Sequence, residues 1–268
     1  VAPVVVLAIA LIAGLIWLFR FRIQRALTPA ETLPPPPPTR AVSGGGEGLP
    51  AGLLYQTDFE DPAALTDWEA PFDDGIVSAR FEDGMLKVGI SALVDTGTWL
   101  ALNYTFEDFV LDVDAAKLDG ADDNGMMVLF RLVDAQNYNR FDISSEGWYT
   151  LSMVRDGLPV VISDFNLSEA IARGEAANHI SIRAEGDRFT FSVNGETLEL
   201  CVSEEEGIRP IWSEGVCLGG EVVTAWQNDD LLRGKIGLGA QGYTGFDGEN
   251  VTPARTLIGF DNLVIVEP

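Results

Sequence analysis

Residues 106–114, FEDFVLDVD, hold the densest set of side chains that could do chemistry: Glu107, Asp108, Asp112 and Asp114. In a strand, alternation turns Asp112 and Asp114 to one face, opposite Phe109, Leu111 and Val113. Paired carboxylates can act as acid and base in glycoside chemistry. A solvated strand face also carries acids with no chemical role, and that is the plainer reading. The sole histidine, His179, stands beside Asn178 at the start of a strand pattern. One histidine rules out most Ser-His-Asp triads and multi-histidine metal sites. Phosphate-cradling glycine loops and C-x-x-C motifs are absent. No catalytic residue is expected.

A second group reads as a binding surface. Over residues 126–133, 138–144 and 148–155, alternation turns Val128, Phe130, Leu132, Phe141, Ile143, Tyr149, Leu151 and Met153 inward. Arg131, Tyr138, Arg140, Asp142 and Trp148 are then left outside. With Asp112 and Asp114 on an adjacent strand, these seven side chains are expected on one surface. An aromatic platform beside charged hydrogen-bonding groups suits a sugar ring or a peptide. A solvated face laced with Arg–Asp pairs is the plainer alternative.

Strands must position these groups. From residue 53 to 268, period-2 alternation is broken by Gly, Asp and Asn turns, giving about fourteen antiparallel strands. One short helix is expected at residues 168–173, with Ser168 as its N-cap. So many strands with so little helix argue for a two-sheet sandwich.

Four stretches carry a resemblance: NGMMVLFRLVDAQNYNRFDISSEGWYTLSMVRDG (124–157), NHISIRAEGDRFTFSVNGE (178–196), DDLLRGKIGLGAQG (229–242) and FDNLVIV (260–266). Together they resemble the concanavalin A-like (laminin-G-like) jelly-roll superfamily. The likeness is strongest to the branch related to family 16 glycoside hydrolases and 3-keto-disaccharide hydrolase-type domains. It implies an all-β, two-sheet antiparallel jelly-roll sandwich over residues 53–268. It also implies saccharide binding on the concave sheet. The E-x-D-x-x-E or E-x-D-x-E string that carries hydrolysis in family 16 is missing here. Similar domains often hold one Ca²⁺ between their first and last strands, and Asp58, Glu60 and Asp261 are the matching positions, with hard oxygen ligands that suit that ion.

The chain of 268 residues has 17 Lys+Arg against 41 Asp+Glu, a formal net charge of -24. A polyanion such as nucleic acid would be repelled. Residues 1–40 run against this trend, with four arginines and one acid. Residues 1–19 are uncharged and would span about 28 Å as a helix, close to the hydrocarbon thickness. The sequence therefore divides into a transmembrane helix with a basic flank (1–25), a Pro/Gly-rich linker (26–52) and the sandwich (53–268). Pro34, Pro35, Pro36, Pro37 and Pro38 suit a semi-rigid polyproline spacer.

Arg20, Arg22 and Arg25, read alone, would place the acidic domain inside. Cys201 and Cys217 argue the other way. They bracket a long loop, as a stapling disulfide does, and such bonds persist in oxidising compartments. With the lectin-like resemblance, they make the extracytoplasmic side the expectation. The expected role is a non-catalytic, single-span accessory subunit of a larger membrane complex, anchored in the bilayer by residues 1–19. The alternative is a free cell-surface carbohydrate-binding module, and a sugar-acting hydrolase trails both.

Overall fold

A computed structural model describes residues 52–203, 205, 208–246 and 250–268. The expected membrane helix, its basic flank and nearly all of the expected linker lie outside the described residues. Within them, no helix is long and apolar enough to cross a membrane.

The strands are β1 (Leu53–Thr57), β2 (Phe72–Asp73), β3 (Val77–Glu82), β4 (Met85–Ala92), β5 (Thr96–Ala101), β6 (Phe109–Gly120), β7 (Asn124–Asp134) and β8 (Asn137–Ile143). Next come β9 (Trp148–Arg155), β10 (Leu158–Leu167), β11 (Asn178–Glu185), β12 (Arg188–Val193), β13 (Glu196–Thr197), β14 (Leu200–Val202), β15 (Ile211–Ser213) and β16 (Val216–Leu218). The last are β17 (Glu221–Val223), β18 (Trp226–Gln227), β19 (Lys235–Gly242), β20 (Gly245–Phe246), β21 (Val251–Thr252) and β22 (Ala254–Val266).

They build two large antiparallel sheets. A ten-stranded sheet runs β13-β12-β11-β6-β22-β4-β3-β2, with β1 added on β22 and β18 on β12; a six-stranded sheet runs β10-β9-β8-β7-β19-β5. Two-residue turns close the hairpins where the sequence supplies residues that accept positive φ. Asp156-Gly157 (φ 49° and 79°) joins β9 to β10, and Asn194-Gly195 (φ 52° and 85°) joins β12 to β13. Positive φ at both central residues matches the twist of the flanking strands.

The core fills the space between the sheets. Phe130 and Phe141 of the six-stranded sheet meet Phe191 of the other with ring centroids 5.7 and 4.9 Å apart. All three rings are fully buried, and truncating one to alanine would cost about 3–5 kcal/mol. β6 buries one face and leaves the other half-exposed. β7 differs, because Asn124 through Leu132 are buried on both of its faces. A second apolar cluster of Ala101, Met127, Leu129, Leu132 and Tyr138 therefore covers the outer face of the six-stranded sheet.

One expectation about the elements needs correction. Residues 168–173 form a turn rather than a helix: Ser168 Oγ accepts the Ala170 N–H at 3.1 Å. Ile171 alone is buried in the core from this segment, and one buried side chain does not make a helical face. A 3-10 turn at Ala64–Asp67 occurs instead. The Cys201–Cys217 disulfide is present as expected, with the Cα atoms 5.4 Å apart. It staples an arm made of the β14–β17 and β15–β16 pairs.

Candidate functional site

The expected seven-residue surface is divided between the two sheets. Asp112 and Asp114 do face outward as alternation requires, but on β6 in the ten-stranded sheet. The chain crosses to the other sheet at residues 121–123, so β6 and β7 are consecutive without being neighbours. On its own face, Asp114 pairs with His179, Nδ1 to Oδ1 at 2.8 Å, and accepts the Asn262 side-chain amide at 2.9 Å. Asp112 lies 3.4 Å from His179 Nε2. This is a half-exposed polar network on the far side of the sandwich from Arg140.

Arg131 is also corrected. It is fully buried rather than outward. β7 carries a bulge here, since Leu129 and Leu132 pair with Gly237 and Lys235 across one fewer residue. Arg131 is the extra residue, at φ 50°, and a bulge reverses the phase of alternation beyond it. Leu132, expected inward, joins the outer cluster for the same reason. The Arg131 guanidinium donates to the Leu231 and Gly186 carbonyls, both at 3.1 Å, and lies 5.4 Å from the Phe189 ring centre. It ties two loops to the end of the core.

Tyr138, Arg140, Asp142 and Trp148 remain together on the outer face of the six-stranded sheet. Arg140 Nε donates to Asp142 Oδ2 at 2.6 Å, and Nη1 donates to Gln241 Oε1 at 3.2 Å. The Asp142 side chain is only 5% exposed, and its Oδ1 has no hydrogen-bond partner. Burial pushes the Asp142 carboxyl above its ordinary value, and Arg140 offsets this only in part. Burial and then the Asp142 charge push the neighbouring Tyr243 hydroxyl up to about 12. Trp148 is half-buried at the rim, paired with Leu167 of the edge strand.

Sequence reasoning passed over Trp99, which completes this face. Its ring reaches Tyr138, centroid to centroid 5.5 Å, although β19 and β7 lie between their strands. Glycines make that reach available. A Cβ on Gly237 would lie 3.4 Å from Trp99 Cδ1, and one on Gly239 only 2.8 Å from Trp99 Cβ. Trp99 therefore lies over a glycine strip and stays half-exposed. The signal was available in KIGLGAQG, where Gly237 and Gly239 fall two apart on one face of the strand.

The calcium positions have other engagements. Asp58 Oδ1 accepts the Glu60 N–H at 3.1 Å, and Asp261 Oδ1 accepts the Asn262 N–H at 2.7 Å. Burial raises the Asp261 pKa, and the Asp114 and Asp58 charges add to that effect. Among the described residues, no three His, Cys, Asp or Glu side chains are placed to share a metal ion. A shallow cleft of about 180 Å³ lies on the ten-stranded sheet, and its one arginine, Arg255, is paired with Asp119 at 2.6 Å.

No protein-family model matches the chain, and no curated protein matches it. Solved structures do. A protein of unknown function with a galectin-like fold from Bacillus subtilis aligns with a TM-score of 0.51 at 12% identity, covering 81% of this chain and 96% of that one. An endo-beta-1,3-glucanase from Pyrococcus furiosus gives 0.49 at 11%, covering 80% and 94%. Carbohydrate binding module CBM66 from Bacillus subtilis gives 0.48 at 15%, covering 75% and 96%. The first match shows the fold, a galectin-like sandwich of two antiparallel sheets. Identities this low carry neither ligand nor activity across.

Proposed function

We propose that the outer face of the six-stranded sheet binds a saccharide, and that the chain is a non-catalytic, tethered binding module. The observation that carries this reading is Trp99 lying over the β19 glycines against Tyr138, on the face that also holds the Arg140–Asp142 pair. A flat ring offers the apolar face of a sugar a stacking surface. On the same face, the Arg140 side chain is 19% exposed and held by Asp142 Oδ2, and its Nη2 makes no hydrogen bond among the described residues. A positioned cationic donor matches a ring hydroxyl, and its charge makes that bond stronger. Binding fits this face better than hydrolysis, because its buried carboxylate is already committed to Arg140 through Oδ2. The tether and the extracytoplasmic side belong to the same proposal, supported by the apolar run at 1–19 and by the disulfide.

A glycan array followed by titration of the best hit tests this reading. Trp99→Ala is expected to weaken binding about tenfold, as loss of roughly 1.4 kcal/mol of stacking would. Asp142→Asn is expected to weaken binding as well, because the charge that holds Arg140 in place is lost. Asp112→Asn with Asp114→Asn, on the opposite sheet, should leave affinity unchanged. Glycan binding insensitive to both Trp99→Ala and Asp142→Asn would sink the assignment of this face.

A further inference from the structure

The stapled arm has an unusual arrangement of faces. In the β15–β16 hairpin, Ile211 pairs with Leu218, Ser213 with Val216 and Trp212 with Cys217. Cys217 is bonded to the buried Cys201, so the Trp212–Cys217 pair is turned toward the body. Alternation then turns Ile211, Val216 and Leu218 outward, and they are 42%, 56% and 46% exposed. Ile208 and Val222 of the same arm are 46% and 49% exposed. A solvated hairpin ordinarily turns polar residues to water. This one is apolar on both faces.

The patch is held in place. The Cys201 N–H donates to the Oγ of fully buried Ser163 on the edge strand β10, at 3.0 Å. Arg209 grips Asp164 of β10 with two bonds, at 3.1 and 3.0 Å. A Cβ on Gly220 would lie 2.5 Å from the Val202 carbonyl oxygen, so the β17 strand closes tightly on β14. An apolar surface fixed before contact loses little conformational entropy on binding.

We propose that this outward face of the arm docks a protein partner whose own surface is an apolar patch rimmed by Lys and Arg. Charge selects that occupant. The arm's arginine is spent on Asp164, while Glu205, Glu214 and Glu221 are exposed around the patch and carry no ion pair among the described residues. A second copy would set the same carboxylates against these, in a chain of net charge -24. An anionic lipid surface would be repelled in the same way. Basic residues opposite the rim would steer and orient the partner. This surface is separate from the saccharide face, and the two assignments stand or fall independently.

The test uses the full chain in native membranes of the cell that makes it, with a photo-crosslinking amino acid replacing Val216 or, as a control on the other sheet, Ile76. The Val216 position is expected to give one protein adduct, whose cross-linked peptide carries Lys or Arg beside apolar residues. Ile76 should give none. Yield should fall about threefold or more in roughly 1 M salt, where the Debye length is about 3 Å. The surface changes Glu214→Lys with Glu221→Lys, and separately Leu218→Ser, should lower it as well, with unchanged melting temperature. An adduct of twice the chain's mass, a lipid adduct, a salt-insensitive adduct, or no adduct from Val216 would each overturn the proposal.

Discussion

Arg131 shows how much one residue can mislead and how its role is checked. Its charge and its place in an alternating run argued for an outward ligand contact, yet its guanidinium closes the end of the core. Arg131→Met keeps the length of the side chain and removes the donors, leaving two loop carbonyls unpaired. The expected cost is roughly 1–3 kcal/mol in urea unfolding, that of one poorly solvated orphan, because Gly186 is exposed and its carbonyl can turn to water. Saccharide affinity of the folded fraction should not move, and a variant that weakens binding without lowering stability would return Arg131 to the site. Nothing in the letters around Arg131 marks the bulge, because positive φ at a non-glycine residue is set by the strands packed against it. Tyr138, Arg140, Asp142 and Trp148 were legible because alternation runs unbroken through β8 and β9. Trp99 was legible only to a reader of its glycines.

At the scale of the element, β19 separates two jobs that glycine can do in a strand. A Cβ on Gly239 would lie 2.4 Å from the Thr98 carbonyl oxygen, which is backbone and cannot step aside. A Cβ on Gly237 would meet only side chains, at 3.3 to 3.5 Å. Gly239→Ala is therefore expected to force β19 away from β5 and cost several kcal/mol, about as much as a severe overpacking change. Gly237→Ala should cost less than about 1 kcal/mol while tilting the Trp99 ring and weakening saccharide binding. Thermal melts paired with binding titrations read both; equal destabilisation by the two would refute the distinction. The long strands were legible, since side-chain alternation records which face meets the core, whereas two- and three-residue strands such as β2, β15, β18 and β20 are too short to alternate. Their assignment to sheets was not. Alternation says that Asp112 and Arg140 both point outward, and says nothing about which outside. The arm was visible as an insertion between two cysteines, but its apolar outward face follows from register, which three-residue strands do not specify.

For the whole molecule, charge is the dominant global fact. A net charge of -24 puts a compact body under self-repulsion that salt relieves. Raising ionic strength from about 0.01 M to 0.15 M shortens the Debye length from about 30 to 8 Å. The melting temperature is expected to rise by about 2–4 °C, the response to roughly 1 kcal/mol in a domain of this size. A fall on adding sodium chloride would show that attractive surface pairs outweigh the repulsion. The sandwich class was legible at this scale because so many alternating segments with so little helix leave few other ways to bury an apolar face. The described body also closes on itself. β1 pairs with the end of β22, Leu53 opposite Val266, and the Glu267 N–H donates to the Gly52 carbonyl at 2.8 Å. Entry and exit of the sandwich thus stand side by side at one sheet, like the two ends of a plug-in cassette. A gene segment encoding it could be spliced into a surface loop of an unrelated protein, and the host chain would leave and resume its own path at nearly the same point.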